Sequence, residues 1–297
     1  MEGHNLALRK TFSSLLNFLE MIKFEHTIFA LPFAYIGMVM AEGGFPEIKK
    51  FLLITLAFLA ARTYAMTLNR IVDLPYDTEN PRTRKRPLVT GKVTKKTAYF
   101  ALFFSLALLF GAAYGLGTFV LKLLPFALFF LTFYHFTKRF TYLSHFILGF
   151  TDGLAPLGAW IAIRNSAFSS SDLPGWLLLF IVTFWIAGFD IIYQCQDVEY
   201  DRKANLHSIP ARFGLKTALS LARICHATMF LGLLVLLKFL DFWLPYVISL
   251  AITLFLLIKE HMIISPYNLT RLNEAFFNIN GYISIIIFSG LTISILL

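Results

Sequence analysis

Charge is what this chain has least of. Asp, Glu, Lys and Arg make up 14% of its 297 residues, against 58% hydrophobic ones, and a mean hydropathy of +0.70 excludes an ordinary soluble domain. Alternating strand patterns are also missing. The apolar runs are continuous, which rules out a membrane barrel and leaves an all-α polytopic membrane protein. Cysteine is scarce too, with Cys195 and Cys225 both in or beside predicted helices, so neither a disulfide framework nor a zinc site is indicated. The seven histidines are scattered without ligand spacing. No short apolar stretch precedes a small-residue cleavage site, so the first helix is expected to be retained.

Crossing the hydrocarbon takes about 20 apolar residues per helix. Nine stretches qualify, at 22–41, 50–70, 97–117, 118–137, 143–163, 175–195, 216–237, 240–259 and 275–297. The net charge of +9 follows the connections between them rather than a solvated face, so nucleic acid is not an expected partner. With a cytoplasmic N-terminus, about 20 Lys and Arg residues fall inside, Arg9, Lys10 and Lys23 among them, and roughly 5 (Lys49, Lys50, Lys122, Arg164 and Lys238) fall outside. That asymmetry predicts cytoplasmic active-site loops, in what is expected to be a bacterial inner membrane. Pro32 and Pro156 can kink their helices, and Gly149, Gly153, Ala155 and Gly158 make one helix small-sided enough for close packing.

The few acids are concentrated. Asn69, Asp73 and Asp77 are four apart, and Asp190, Tyr193, Asp197 and Asp201 are three, four and four apart, so on helices each set lies along one face. Carboxylates grouped at membrane-helix ends repel one another unless hard cations neutralise them. Mg²⁺ fits: it takes oxygen ligands and commonly bridges carboxylates to substrate phosphates. Both segments run into basic ones, 82–88 and 202–214, a likeness that suggests two halves, 20–140 and 141–297, within a single domain of 1–297. Arg82, Arg84, Lys85, Arg86, Lys138, Arg139, Arg202, Lys203 and Arg212 could donate to phosphate oxygens; Lys92, Lys95, Lys96 and Lys216 read as topology signal and lipid contacts.

A diphosphate entering at a membrane surface on something apolar suggests a prenyl diphosphate, whose ionisation metal and cationic side chains would assist. The allylic cation then needs an electron-rich wall, each ring being worth about 0.5–2 kcal/mol. Of the abundant aromatics, Tyr64, Tyr76, Tyr134, Phe189, Tyr193 and Tyr200 lie near the acids.

Asn69-x-x-x-Asp73-x-x-x-Asp77 and Asp190-x-x-Tyr193-x-x-x-Asp197-x-x-x-Asp201, with Arg82 to Leu88 and Tyr134, Lys138 and Arg139, resemble the UbiA superfamily of intramembrane aromatic prenyltransferases over nearly the whole length. The resemblance implies a nine-helix bundle around a central cavity, capped by the motif loops. It implies Mg²⁺ held by Asp73, Asp77, Asp197 and Asp201, and transfer of a polyprenyl group from its diphosphate to an aromatic acceptor. Arg70 departs from the family, where Asp is frequent at that position. The segment Phe24 to Phe33 resembles the bacterial 4-hydroxybenzoate polyprenyltransferase-like branch, which also serves menaquinone routes, so 4-hydroxybenzoate, a naphthoate or a futalosine-derived ring are the expected acceptors.

Arg62 sits about two turns deeper than Asn69, where it either holds an acceptor carboxylate or pairs with Asp152. Asp190, deeper than Asp197 and Asp201, is expected to contact the acceptor as base or as partner of its phenol. A phosphatidyltransferase would continue Asp152-Gly153-Leu154-Ala155 into Arg and two further acids, which this chain lacks. A cation-coupled transporter would place its acids at mid-helix rather than beside phosphate-type cations.

Overall fold

A computed structural model of the chain describes residues 2–297, apart from the side chains of 2–11, His26, Ile28 and Phe29. Arg9 and Lys10 of the charge asymmetry, and those three members of the 24–33 segment, therefore lie outside the described side chains. The chain is helical throughout: α1 (Glu2–Met21), α2 (Phe24–Glu42), α3 (Ile48–Val72), α4 (Leu74–Glu79), α5 (Lys95–Leu116), α6 (Thr118–Thr137), α7 (Ser144–Arg164), α8 (Leu173–Gln194), α9 (Val198–Lys203), α10 (Ile209–Leu236), α11 (Leu244–Met262) and α12 (Asn280–Leu296). Among the described residues eight helices are long and apolar enough to span a membrane, and α2 adds a shorter apolar stretch, Ala30–Glu42. Together they account for the nine runs.

α2 is central, touching α3, α7, α8 and α12. Pro32 and Pro156 both lie inside helices, and Gly37 on α2 meets Pro156 so closely that a Cβ there would collide with its carbonyl. α7 and α8 are similarly tight, because Cβ atoms on Gly149 and Gly153 would clash with the carbonyls of Thr183 and Leu179. Gly158 differs from expectation: nothing stands near it, and with Ala155 it lines a cavity instead of a helix contact. The largest core joins Phe33, Ile36, Trp185, Met229, Tyr246 and Ile283, among others, from α2, α8, α10, α11 and α12. This closes the bundle.

Two departures bear on the site. The motifs do not lie on uninterrupted helices: α3 stops at Val72, Asp73 is a single non-helical residue, and Pro75 opens the six-residue α4. Likewise α8 stops at Gln194, a 3₁₀ turn runs over Cys195–Asp197, and the six-residue α9 follows. A 3₁₀ turn advances 120° per residue instead of 100°, so the single acidic face drawn through Asp190 and Asp201 is bent. The other departure is that α10 begins at Ile209 rather than 216, because the Ser208 hydroxyl caps it by accepting the Ala211 N–H, and Gly214 (φ 81°, ψ 165°) breaks it once inside.

Candidate active site

Both helix breaks open onto one cavity of about 520 Å³. Its walls include Asn69, Asp73, Asp77, Arg82, Arg86, Lys138, Arg139, Tyr193, Asp197 and Asp201, with Arg62, Asp152 and Asp190 deeper down. Segments more than a hundred residues apart in the chain thus share one site, as two clusters gripping one diphosphate require. Arg202 is not among the wall residues. Its guanidinium lies outside and donates to the Ala211 carbonyl (2.9 Å), because the early start of α10 puts that carbonyl within reach. Arg84, Lys203 and Arg212 also stay out, Arg212 lying over the Tyr142 ring.

Four of the five motif aspartates, all but Asp190, face a cation. Arg82 grips Asp197 with two nitrogens (2.8 and 2.6 Å), and a single nitrogen of Arg86, Nη1, reaches both oxygens of Asp77 (2.6 and 2.5 Å). Lys138 lies 2.8 Å from Asp201 Oδ1 as an ion pair without an aligned hydrogen bond, and Arg139 stands 3.8 Å from Asp73. The Arg82 fork is the geometry with which Arg holds carboxylate or phosphate. Among the described residues no three acids, histidines or cysteines converge on one point; the basic side chains stand between them.

The first motif is the looser. Asn69 Nδ2 donates to Asp73 Oδ2 (2.7 Å), yet 30% of the Asp73 side chain remains exposed. Burial of the rest and the neighbouring Asp77 push its carboxyl up to about 6, against the pull of Arg70, Arg86 and Arg139. Arg70 turns out of the cluster, donating to the Met21 carbonyl (3.0 Å) and to Asn69 Oδ1 (2.9 Å), which occupies the oxygen Asn69 would offer a metal.

Four partners were not legible as site residues. Asn80 and Gln194 donate to Asp197 (3.3 and 3.2 Å), and Gln194 and Ser208 donate to Asp201 (2.9 and 2.7 Å). The fourth is His145. Its Nε2 accepts the Ile209 N–H (3.3 Å), so Nδ1 carries the proton and donates to Asp190 Oδ2 (2.6 Å).

Deeper, Arg62 Nη1 lies 3.8 Å from Asp152 Oδ1, the ion pair of the two alternatives. The pair stands where the polar cavity meets a second, apolar one of about 200 Å³, since Ala30, Arg62, Asp152, Trp185 and Ile186 line both. Of the six aromatics near the acids, Tyr76, Tyr134, Phe189, Tyr193 and Tyr200 line the polar cavity. Tyr64 is not among them; it shares a hydrogen bond with Thr132 (2.9 Å).

The sequence profile of the UbiA prenyltransferase family matches residues 30–282. The chain belongs to this family. Two 4-hydroxybenzoate octaprenyltransferases are similar along most of their length: that of Francisella tularensis subsp. novicida, 26% identical over 85% of this chain and 87% of its own, and that of Pseudoalteromonas translucida, 28% identical over 88% and 87%. A UbiA homolog from Aeropyrum pernix K1, solved in its apo form, superposes with a TM-score of 0.81 at 34% identity, covering 91% of this chain and 98% of its own. A UbiA homolog from Archaeoglobus fulgidus bound to GPP and Mg²⁺ shares the fold at 19% identity and a TM-score of 0.64, covering 95% and 100%. The family member described here is thus an integral membrane prenyltransferase, with its cavity walled by both acidic segments.

Proposed function

We propose that this prenyltransferase transfers a polyprenyl group from polyprenyl diphosphate to a ring carbon of an aromatic quinone precursor, 4-hydroxybenzoate first, in a Mg²⁺-dependent reaction. The observation that carries the reading is the interleaving of four aspartates with Arg82, Arg86, Lys138 and Arg139 around one cavity. The relatives that bear the 4-hydroxybenzoate name support the acceptor, and the GPP- and Mg²⁺-bound neighbour supports the donor and the ion. A naphthoate or futalosine-derived acceptor, as in menaquinone routes, is the second reading.

The donor set fits the metal. Asp73, Asp77, Asp197 and Asp201 offer only oxygen, the ligand Mg²⁺ prefers, and Asp201 Oδ1 is buried without an aligned hydrogen bond. Mg²⁺ bound there would supply Lewis-acid assistance to departure of the pyrophosphate. The four basic side chains would then exchange carboxylate partners for phosphate oxygens, holding the leaving group as the carbon–oxygen bond breaks and its electron pair departs with pyrophosphate.

Phe189 and Tyr193 line the part of the cavity that would hold the allylic cation, while the apolar cavity beyond Trp185 receives the chain. The acceptor enters between Arg62, offered to a carboxylate, and Asp190. With His145 fixing one Asp190 oxygen, the other takes the proton released when the ring carbon bonds the prenyl carbon. This face is assigned to the cytoplasm of a bacterial inner membrane, and the segments 20–140 and 141–297 to two related halves contributing one motif each.

Membranes carrying the protein, incubated with radiolabelled polyprenyl diphosphate, Mg²⁺ and 4-hydroxybenzoate, should yield prenylated 4-hydroxybenzoate. Absence of product from every one of several aromatic acceptors would sink the proposal; product from a naphthoate alone would move it to the second reading.

A further inference from the structure

A π-helical turn over Glu274–Ile279 precedes α12, and its widened loop frees carbonyls that the i→i+4 pattern would satisfy. Asn280 recaptures them, its Nδ2 donating to the carbonyls of Ala275 (3.0 Å) and Phe276 (3.3 Å). The same amide group donates to Glu260 Oε1 on α11 (3.1 Å), and Asn280 Oδ1 accepts the Trp185 indole N–H of α8 (2.7 Å). Glu260 is fully buried, and Asn280 and Trp185 are 4% and 3% exposed. A carboxyl buried in the last turn of a membrane helix is expensive and marks function more often than packing. The prenyl-transfer reaction uses none of Glu260, Asn280 or this turn.

What the turn carries is the cavity wall. Phe276 stacks on Tyr193 (4.2 Å between centroids) and meets Phe189 edge-on (5.2 Å), and Phe189 meets Trp185 edge-on (5.3 Å). Tyr193 in turn accepts a hydrogen bond from Arg82 (3.0 Å), the side chain that grips Asp197. A continuous line of contacts therefore runs from Glu260 through Asn280 and Phe276 to the diphosphate end of the cavity.

We propose that Glu260 and Asn280 are positioning residues, which lock the π turn so that Phe276 and its neighbours form an aromatic wall excluding water from the reacting carbon. The assignment of an effect on product rests on the prenyl-transfer reading above; the brace itself does not. Without the wall, a water oxygen bonds the allylic carbon and loses a proton to solvent while pyrophosphate leaves with the carbon–oxygen pair, giving prenyl alcohol in place of prenylated ring.

Asn280→Leu and Glu260→Leu are compared with wild type in purified protein by amide hydrogen exchange and by product analysis. Exchange should rise both in 274–281 and in 193–197, and the ratio of prenyl alcohol to prenylated ring should rise about tenfold while consumption of the diphosphate stays within about threefold. Glu260→Gln keeps an oxygen for Asn280 and should restore both readouts. Asp172→Leu serves as control, breaking an equally buried carboxylate–tryptophan contact with Trp160 about 20 Å from Trp185 along α8, and should leave the ratio alone. Exchange confined to 274–281, or an unchanged ratio with falling consumption, overturns the proposal. A wild-type protein that makes no prenylated ring with any acceptor would defeat the proposed function, while the exchange pattern still decides the brace.

Discussion

The two acidic segments share a local plan and differ in how they are held. Each joins a long helix to a six-residue helix through a break, then a basic loop and a hydroxyl-capped helix: Thr94 accepts the Thr97 N–H as Ser208 accepts that of Ala211. In the second segment the acids are buried, Asp197 at 5% and Asp201 at 0% exposure, and amide, hydroxyl and cationic donors surround them. In the first, Asp77 is buried against Arg86, but Asp73 is 30% exposed, with Arg139 at 3.8 Å and one Asn69 contact. Donors already aimed at a charge need no reorganisation when a ligand arrives, whereas an under-satisfied carboxylate favours a new cation most. The second segment is thus preorganised throughout, and in the first it is Asp73 that a ligand completes.

Asp197→Ala breaks the comparison hardest. It leaves Arg82, Asn80 and Gln194 without their acceptor, so prenyl transfer should fall on the order of 10³-fold and the melting temperature should drop; a variant that melts like wild type would refute that preorganisation. Asp73→Asn should lower transfer about 10²-fold while leaving the melting temperature unchanged or higher, since a carboxyl raised to about 6 is one whose charge the fold disfavours.

Mg²⁺ titrations at several pH values sharpen the contrast. Because Asp73 holds a proton below about 6, and proton and metal compete for it, apparent affinity should weaken up to about tenfold per pH unit as pH falls through that value. In Asp73→Asn that slope should flatten between pH 5.5 and 7, and an unaltered slope would remove Asp73 from the metal set. Arg82→Lys retains charge but loses the fork, so the Michaelis constant for the diphosphate should rise about tenfold. Smallest of all, Tyr64→Phe deletes a hydrogen bond to Thr132 outside the cavity, worth about 1 kcal/mol of stability, and activity should change less than about twofold.

How much of this was readable differs by residue. The helices and the motif acids stand out because hydrocarbon leaves no other place for long apolar runs and makes each clustered charge conspicuous. His145, Asn80, Gln194 and Ser208 do not, because single polar residues acquire a role only from what folds against them. Arg202 shows the converse: next to a motif acid in sequence, it is turned away by the start of α10 and its Ala211 carbonyl. The helix breaks at Asp73 and at Cys195–Asp197 were equally hidden, since only Pro75 marks either in local chemistry.

Composition and motif spacing alone determined that the chain is a helical membrane protein with two oxygen-rich, cation-flanked segments, because the membrane sets the length of its helices and penalises every stray charge. Tertiary structure decided which charges meet. Arg82 reaches Asp197 across 115 positions of sequence, and Glu260 reaches the cavity wall through Asn280. Such pairings depend on how helices rotate and cross, and that is settled by the packing of small and aromatic side chains over the whole bundle rather than by any local stretch.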